Sequence, residues 1–195
     1  MRLFVAGLLP DALQSRVYDA LAAARRAATQ ARWVRPAQLH LTLAFLGELP
    51  GPTVPSLVEA LQGVSTRHTA LQLWLRGAGC FGRPHQPEVL YAELVGEVAG
   101  LTTLREEVQA ALGPWLPKAG GGRTPVFRPH LTLARAGGRH GDAALGRCAR
   151  ALREQVLGTF LLERFLLFSS EPTPGGARHT ALAEFALGPA ASAHP

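Results

Sequence analysis

The chain has 195 residues, of which 47% are hydrophobic, and 20 basic against 14 acidic residues give a formal net charge of +6. A chain of this length and composition can bury a full core, which excludes global disorder. No apolar run reaches the length of a membrane span, and the first residues lack the apolar stretch of a signal peptide, so we expect a cytoplasmic protein.

Taken in order, the periodicity of apolar residues predicts strands and helices in the first half of the chain. Strands are predicted over 2–9, 39–46, 69–76 and 89–94, and helices over 11–29, 53–62 and 97–112. Glycine and proline between 77 and 87 predict a long loop.

The second half begins with a second glycine- and proline-rich stretch, over 113–125, which predicts a mobile loop. Two types of element follow it: strands over 126–135, 159–168 and 178–187, and a helix over 141–156.

One pentapeptide, His-Leu-Thr-Leu-Ala, occurs twice, at residues 40–44 and at residues 130–134. Alternate side chains of a strand point to opposite faces. The histidine, threonine and alanine of each copy are therefore expected on one face, and the leucines on the other, in the core. The repeat and the order of elements suggest internal duplication.

This pattern predicts an α+β protein of two similar lobes, each an antiparallel sheet with helices on the outside. The two motif strands would face each other across a central cleft. We expect residues 1–188 to form a single bilobal domain and residues 189–195 to be a disordered tail.

Paired histidines suit proton transfer, because an imidazole with an ordinary pKa of about 6.5 can donate or accept a proton near neutrality. In an in-line displacement at phosphorus, acid and base must approach from opposite sides, as His40 and His130 would on facing strands. Thr42 and Thr132 could donate hydrogen bonds to the non-bridging phosphate oxygens. A single such histidine is more often structural, whereas the repetition favours a functional pair.

The motifs favour chemistry without a metal or cofactor. Neither copy contains a carboxylate or thiolate, and two histidines are fewer than the three protein ligands usual for catalytic zinc. The two cysteines, Cys80 and Cys148, form no CxxC motif and predict no disulfide framework.

The basic residues also bear on the ligand. Only Lys118 is a lysine, and arginine suits phosphate because its planar fork donates hydrogen bonds in pairs. The arginine excess is equally compatible with a bias of genome composition, so charge supports a nucleic-acid or nucleotide ligand without identifying one.

With these motifs, the chain resembles the 2H phosphoesterase superfamily, and within it the RNA 2′,3′-cyclic phosphodiesterases, historically called 2′-5′ RNA ligases. The similarity covers about residues 2–188. Besides the two motifs, the resembling segments are residues 2–6, Trp33-Val34, the run 40–47, the run 127–135 and the ending 182–187.

This resemblance implies a bilobal fold and metal-independent hydrolysis of a ribose 2′,3′-cyclic phosphate to a 2′-phosphomonoester. It implies His40 as the proton donor to the departing 3′ oxygen and His130 as the acceptor from water. Some members join RNA ends through 2′-5′ linkages, the reverse chemistry. The partners implied are RNA ends or nucleotides bearing a 2′,3′-cyclic phosphate, with no membrane, and we expect a monomer.

Two positions depart from a simple transfer of the family pattern. Arg135 matches a basic residue that often follows the second motif and could contact the phosphate or base, but strand alternation places it on the leucine face. It would need a bulge to reach the cleft. His179 stands near Gly175 and Gly176, where the family often has an aromatic residue.

Two other functions remain open. A basic protein that binds RNA or nucleotide phosphate without turnover would need only the arginines and hydroxyls, although arginine or lysine would then serve as well as histidine. A metallohydrolase is disfavoured by the missing carboxylates.

Overall fold

A computed structural model describes residues 1–117, 127–138, 140–173 and 176–190. In these ranges the strands are β1 (Arg2–Leu8), β2 (Arg32–Trp33), β3 (His40–Glu48), β4 (Leu71–Arg83), β5 (Gln86–Gly96), β6 (His130–Arg135), β7 (Val156–Leu162), β8 (Arg164–Thr173) and β9 (Gly176–Ala186). The α-helices are α1 (Asp11–Ala20), α2 (Ala22–Ala27), α3 (Val54–Ser65), α4 (Val98–Ala111) and α5 (Ala143–Leu152). Short 3₁₀ turns span Pro36–Gln38, Gly51–Thr53 and Gly113–Trp115.

The first sheet has four antiparallel strands in the order β3-β1-β8-β9. Its central strand β1 buries both faces. Leu3 and Val5 point into the main core, whereas Phe4 and Ala6 form a small apolar cluster with Leu166 and Phe168. That small cluster underlies His40, because the Phe4 and His40 rings lie 5.1 Å apart.

The second sheet has five antiparallel strands in the order β2-β6-β5-β4-β7. Helices α1 and α5 pack against it, and α3 and α4 pack against the first sheet. The motif strands β3 and β6 contact each other across the two sheets. This arrangement confirms the predicted α+β class with two antiparallel sheets, outer helices and facing motif strands.

The two lobes are not consecutive halves of the chain. The last two strands, β8 and β9, return to the first sheet beside β1, and β2 crosses from the first part of the chain to the edge of the second sheet. One hydrophobic cluster includes residues of both sheets, such as Leu3, Leu41, Leu73 and Leu131. The sheets therefore share a core.

The predicted loop over 77–87 is wrong, because β4 and β5 continue through it as a hairpin that turns at Pro84 and His85. Gly77 and Gly82 adopt positive φ angles of 77° and 106°, and the β4–β5 register shifts beside each of them. The glycines thus allow bulges inside a strand, which is a common role of glycine besides forming loops.

Two other element predictions are wrong in detail. The apolar stretch over 159–168 is divided at Glu163 into β7 and β8, which belong to different sheets. The helix over 11–29 is divided at Leu21 into α1 and α2.

Residues 118–125 of the predicted mobile loop lie outside the described residues, as do residue 126 of the following predicted strand and residues 191–195 of the predicted tail. The domain boundaries remain a prediction. Within the ranges given above, no helix has the length and apolar character needed to cross a membrane.

Candidate active site

A cleft of about 1110 Å³ runs between the two sheets and receives side chains from both motif strands. His40 and Thr42 reach it from β3, and Thr132 and Arg135 reach it from β6. His130 does not line this cavity itself, but it lies on the same strand face as Thr132. Its charge also acts on His40, lowering the pKa of that ring.

The two histidine rings are held in the same way. His40 Nδ1 lies 2.7 Å from the carbonyl oxygen of Gln38, and His130 Nδ1 lies 2.7 Å from that of Arg128. A carbonyl can only accept a hydrogen bond, so each Nδ1 must carry the proton. Each Nε2 is then left to accept a proton in the neutral ring, or to donate one in the charged ring.

Aromatic side chains pack against both imidazoles. The His40 ring lies against Phe4, and the His130 ring meets Phe81 edge to face at 4.8 Å and Tyr91 at 5.6 Å. Phe81 itself stacks on Tyr91 at 4.3 Å. This packing, together with the backbone hydrogen bonds, fixes the orientation of each ring before substrate arrives.

Burial and neighbouring positive charge make both histidines harder to protonate. Burial lowers the pKa of His40 to about 4, with smaller contributions from His179, Arg135 and His130, against the opposing hydrogen bond to Gln38. Burial also lowers the pKa of His130, helped by Arg135 and Arg128. Arg135 therefore acts electrostatically on both rings.

A bulge in each motif strand decides which residues face the cleft. In the β1–β3 pair, Val5 is opposite Ala44 and Ala6 is opposite Thr42, so Leu43 is the extra residue. In the β5–β6 pair, Leu133 is the extra residue in the same way. After this fourth residue of each copy, the alternation between cleft-facing and core-facing side chains is therefore reversed.

This reversal shows that the predicted position of the motif alanines is wrong, and it explains how Arg135 reaches the cleft. Ala44 and Ala134, expected on the cleft face, are buried in the main core. The next residue in each copy, Phe45 or Arg135, faces the cleft instead. The bulge that Arg135 needed is thus present, although a contact between Arg135 and substrate remains a prediction.

Phe45 was missed by the sequence reasoning. Its side chain is 62% exposed, which is unusual for a phenylalanine on a strand, and its ring lies 6.3 Å from that of Phe4. The sequence did contain a signal for it, because Phe45 directly follows the first copy of the pentapeptide as Arg135 directly follows the second.

His179 lies beside His40 and also lines the cleft. Within the described part of the chain, no group of three or more His, Cys, Asp or Glu side chains is placed to hold a metal ion.

Comparison with known proteins identifies the family of this chain. A family model described as LigT-like phosphoesterase matches residues 8–91. A curated protein of Thermus thermophilus named RNA 2′,3′-cyclic phosphodiesterase is 33% identical over 194 residues, covering 96% of this chain and 90% of its own.

Solved structures with a similar fold match most of the chain. The crystal structure of TT0787 of Thermus thermophilus matches with a TM-score of 0.79 and 30% identity, covering 98% of this chain and 100% of its own. Escherichia coli LigT complexed with 3′-AMP matches with a TM-score of 0.74 and 25% identity, covering 95% of this chain and 97% of its own. The chain therefore belongs to the LigT-like phosphoesterases of the 2H superfamily, hydrolases that act on phosphodiester bonds.

Proposed function

We propose that this phosphoesterase hydrolyses the ribose 2′,3′-cyclic phosphate at RNA ends to a 2′-phosphomonoester, with His40 and His130 as its acid and base. The observation that carries the proposal is the matched anchoring of the two rings. Each Nδ1 is engaged by a backbone carbonyl, which leaves each Nε2 available for proton transfer from one of two facing strands. The relatives named RNA 2′,3′-cyclic phosphodiesterase support this choice of substrate.

In the proposed reaction, His130 Nε2 accepts a proton from water as the water oxygen attacks phosphorus. The bond between phosphorus and the ribose 3′ oxygen breaks, and His40 Nε2 donates its proton to that oxygen. The products are a 2′-phosphomonoester and a free 3′ hydroxyl, and proton exchange with solvent restores both rings. The division of roles between His40 and His130 follows the family resemblance, because the two motifs are too alike to assign it.

A pKa of about 4 would leave His40 mostly neutral at pH 7 before substrate binds. The negative charge of a bound phosphate opposes this effect, because an opposite charge close to an imidazole raises its pKa. Substrate binding would thus favour protonation of His40, which supplies the proton that His40 donates. General acid and base catalysis each typically contribute about 10²–10⁴-fold to the rate.

Three further side chains would stabilise the phosphate. Thr42 and Thr132 line the cleft from opposite strands and could each donate a hydroxyl hydrogen bond to a non-bridging oxygen. Arg135 would neutralise the charge that accumulates on those oxygens in the transition state. Phe45 offers an exposed aromatic face on which a nucleobase could stack.

The same groups could open the cyclic phosphate with a ribose 5′ hydroxyl in place of water as the attacking group, so that a 2′-5′ linkage forms as the bond between phosphorus and the 3′ oxygen breaks. We include this 2′-5′ ligation in the proposal as a secondary activity. We also expect the protein to act as a monomer, which light scattering on the purified chain would check.

The test is to incubate the purified protein, in the presence of EDTA, with an RNA that ends in a 2′,3′-cyclic phosphate, and to identify the product. A 2′-phosphate end formed in EDTA, and not formed by His40→Ala, would establish the function. Tight, salt-sensitive binding without turnover would instead establish a phosphate-binding protein. Turnover that EDTA abolishes would point to a metallohydrolase.

A further inference from the structure

A pair of arginines lies beside the proposed reaction centre. Arg32 on β2 and Arg135 on β6 are directly opposite each other in the antiparallel register, and both line the cleft. Residues opposite each other on antiparallel strands have Cα atoms about 4.5–5.5 Å apart. Two like charges in such a position disfavour the strand pair unless an anion lies between them.

Among the residues that the structure describes, no carboxylate balances the charge of this pair. Within the described ranges, no carboxylate oxygen lies within 4.0 Å of the guanidinium of Arg32, Arg35 or Arg135. Arg2, on the other wall of the cleft, is 4.0 Å from Glu48. The uncompensated positive charge of these three arginines is therefore concentrated on the side of the cleft formed by β6, β2 and the residues that follow β2.

The backbone that carries Arg32 and Arg35 is firmly attached. Trp33 Nε1 donates to the carbonyl of Ala28 at 3.1 Å, and the Val34 amide donates to the carbonyl of Leu133, the bulge residue of β6, at 2.9 Å. Arg32 Nη2 also lies 3.4 Å from the carbonyl oxygen of Ala136. The two arginines thus hold a defined position next to the motif strand rather than on a free loop.

The arginines extend from a motif strand to the edge of the second sheet. β2 is the edge strand of the second sheet, next to β6, and the charge of Arg135 on β6 lowers the pKa of both motif histidines. Arg35 leads into the turn Pro36–Gln38, which ends shortly before His40. Arg135, Arg32 and Arg35 together form a positively charged path along the cleft, from the motif strand β6 across β2 to the start of that turn.

The ligand that fits this path carries more than one phosphate. A cyclic mononucleotide has a single phosphate. The motif histidines, the motif threonines and Arg135 would already bind it, which leaves Arg32 and Arg35 without a phosphate to contact. An RNA end presents a second phosphate one nucleotide upstream, and arginine forks match phosphate oxygens in pairs.

We propose that Arg32 and Arg35 bind the phosphate that joins the last two nucleotides, so that the cleft selects polynucleotide ends over cyclic mononucleotides. This inference rests on the proposed function and names its substrate class.

The test compares three substrates with the same terminal adenosine: 2′,3′-cyclic AMP, the dinucleotide ApA ending in a 2′,3′-cyclic phosphate, and that dinucleotide with an uncharged methylphosphonate linkage. A charge-assisted hydrogen bond corresponds to a factor of about ten or more. The wild-type protein is expected to prefer the charged dinucleotide over cyclic AMP by at least about tenfold in kcat/KM. The methylphosphonate is expected to lose most of that preference.

In the double variant Arg32→Gln/Arg35→Gln, the ratio of the kcat/KM values for the charged and uncharged dinucleotides is expected to fall close to one. The salt dependence of kcat/KM for the charged dinucleotide should weaken by about 0.7 in log–log slope, because the double variant loses its contact with one phosphate. Arg26→Gln is the matched control, because Arg26 is exposed on α2 and outside the cleft, and it should leave both quantities unchanged.

Hydrolysis of cyclic AMP with no preference for the charged dinucleotide would overturn this inference and leave the proposed function intact. A preference that persists in the double variant would also overturn it. If none of the three substrates is hydrolysed, the proposed function fails together with it.

Discussion

The rings of His40 and His179 meet edge to face, with their centroids 5.6 Å apart and their planes at 85°. Phe4 contacts both rings, at 5.1 Å and 4.9 Å. His179 Nδ1 is buried and has no hydrogen-bond partner among the described residues. Because two positive charges at this distance repel, His179 opposes protonation of His40 and contributes to the lowered pKa of that ring.

We therefore expect the pH optimum of kcat/KM to be acidic. The reaction needs one ring protonated and one neutral, and kcat/KM reports the pKa values of the free enzyme. The pKa of His40 is lowered to about 4, and burial also lowers the pKa of His130 from its ordinary value, so the singly protonated pair is most abundant on the acidic side of neutrality. The kcat profile is expected at higher pH, since the bound phosphate raises both pKa values.

His179→Gln is expected to raise the pKa of His40 and so to move the acid limb of the profile to higher pH, because it removes a nearby ring that can carry positive charge. NMR titration of the histidine rings measures this directly. His140→Gln, at an exposed position away from the cleft, is the control. A His40 ring that titrates at or above pH 6.5 in the free wild-type protein would contradict the argument.

Replacing either motif histidine is expected to abolish most of the activity. His40→Ala and His130→Ala should each lower kcat by a factor of at least about 10², since each removes one proton-transfer group. Circular dichroism and thermal melting, with His140→Ala in parallel, would separate this loss from unfolding. A decrease of less than tenfold in a folded variant would remove that residue from the assignment.

Replacing the motif threonines is expected to have a smaller effect. Thr42→Val and Thr132→Val keep the branched shape but remove the hydroxyl, so kcat/KM should fall by a factor of about ten to a hundred, as for the removal of a hydrogen bond to a charged group. Thr180→Val, at an exposed position of β9 outside the cleft, provides a strand-matched control. Loss of stability equal to the loss of activity would make these residues structural instead.

Phe45→Ala is expected to weaken nucleotide binding without unfolding the chain, because the ring is 62% exposed. Base stacking on an aromatic side chain is worth about 1–3 kcal/mol, so kcat/KM should fall about fivefold to a hundredfold. A ribose cyclic phosphate that lacks the base should be insensitive to the change. Phe45→Tyr should retain activity, and Val156→Ala, at an exposed apolar position outside the cleft, is the control. Equal losses with and without the base would refute stacking.

Where sequence reasoning failed, the cause was long-range pairing rather than local preference. Helix α4 was predicted over 97–112 and is found at Val98–Ala111, because its apolar spacing is strong and local. The stretch over 159–168 looked like one strand, yet Glu163 separates β7 from β8 and each joins a different sheet. Gly77 and Gly82 led to the wrong prediction of a loop, since glycines with a positive φ occur in strand bulges as well as in turns.

By itself, the sequence determined the motif pair. The repeat at 40–44 and 130–134 was sufficient to single out His40, Thr42, His130 and Thr132, since a strand with a period of two must present the histidine and threonine together. Only the tertiary structure decided what surrounds them. The bulges at Leu43 and Leu133 appear only when each motif strand is aligned with its neighbour, and they bring Phe45 and Arg135 to the cleft. The pairing of Arg32 with Arg135 joins positions far apart in the chain, which no local pattern records.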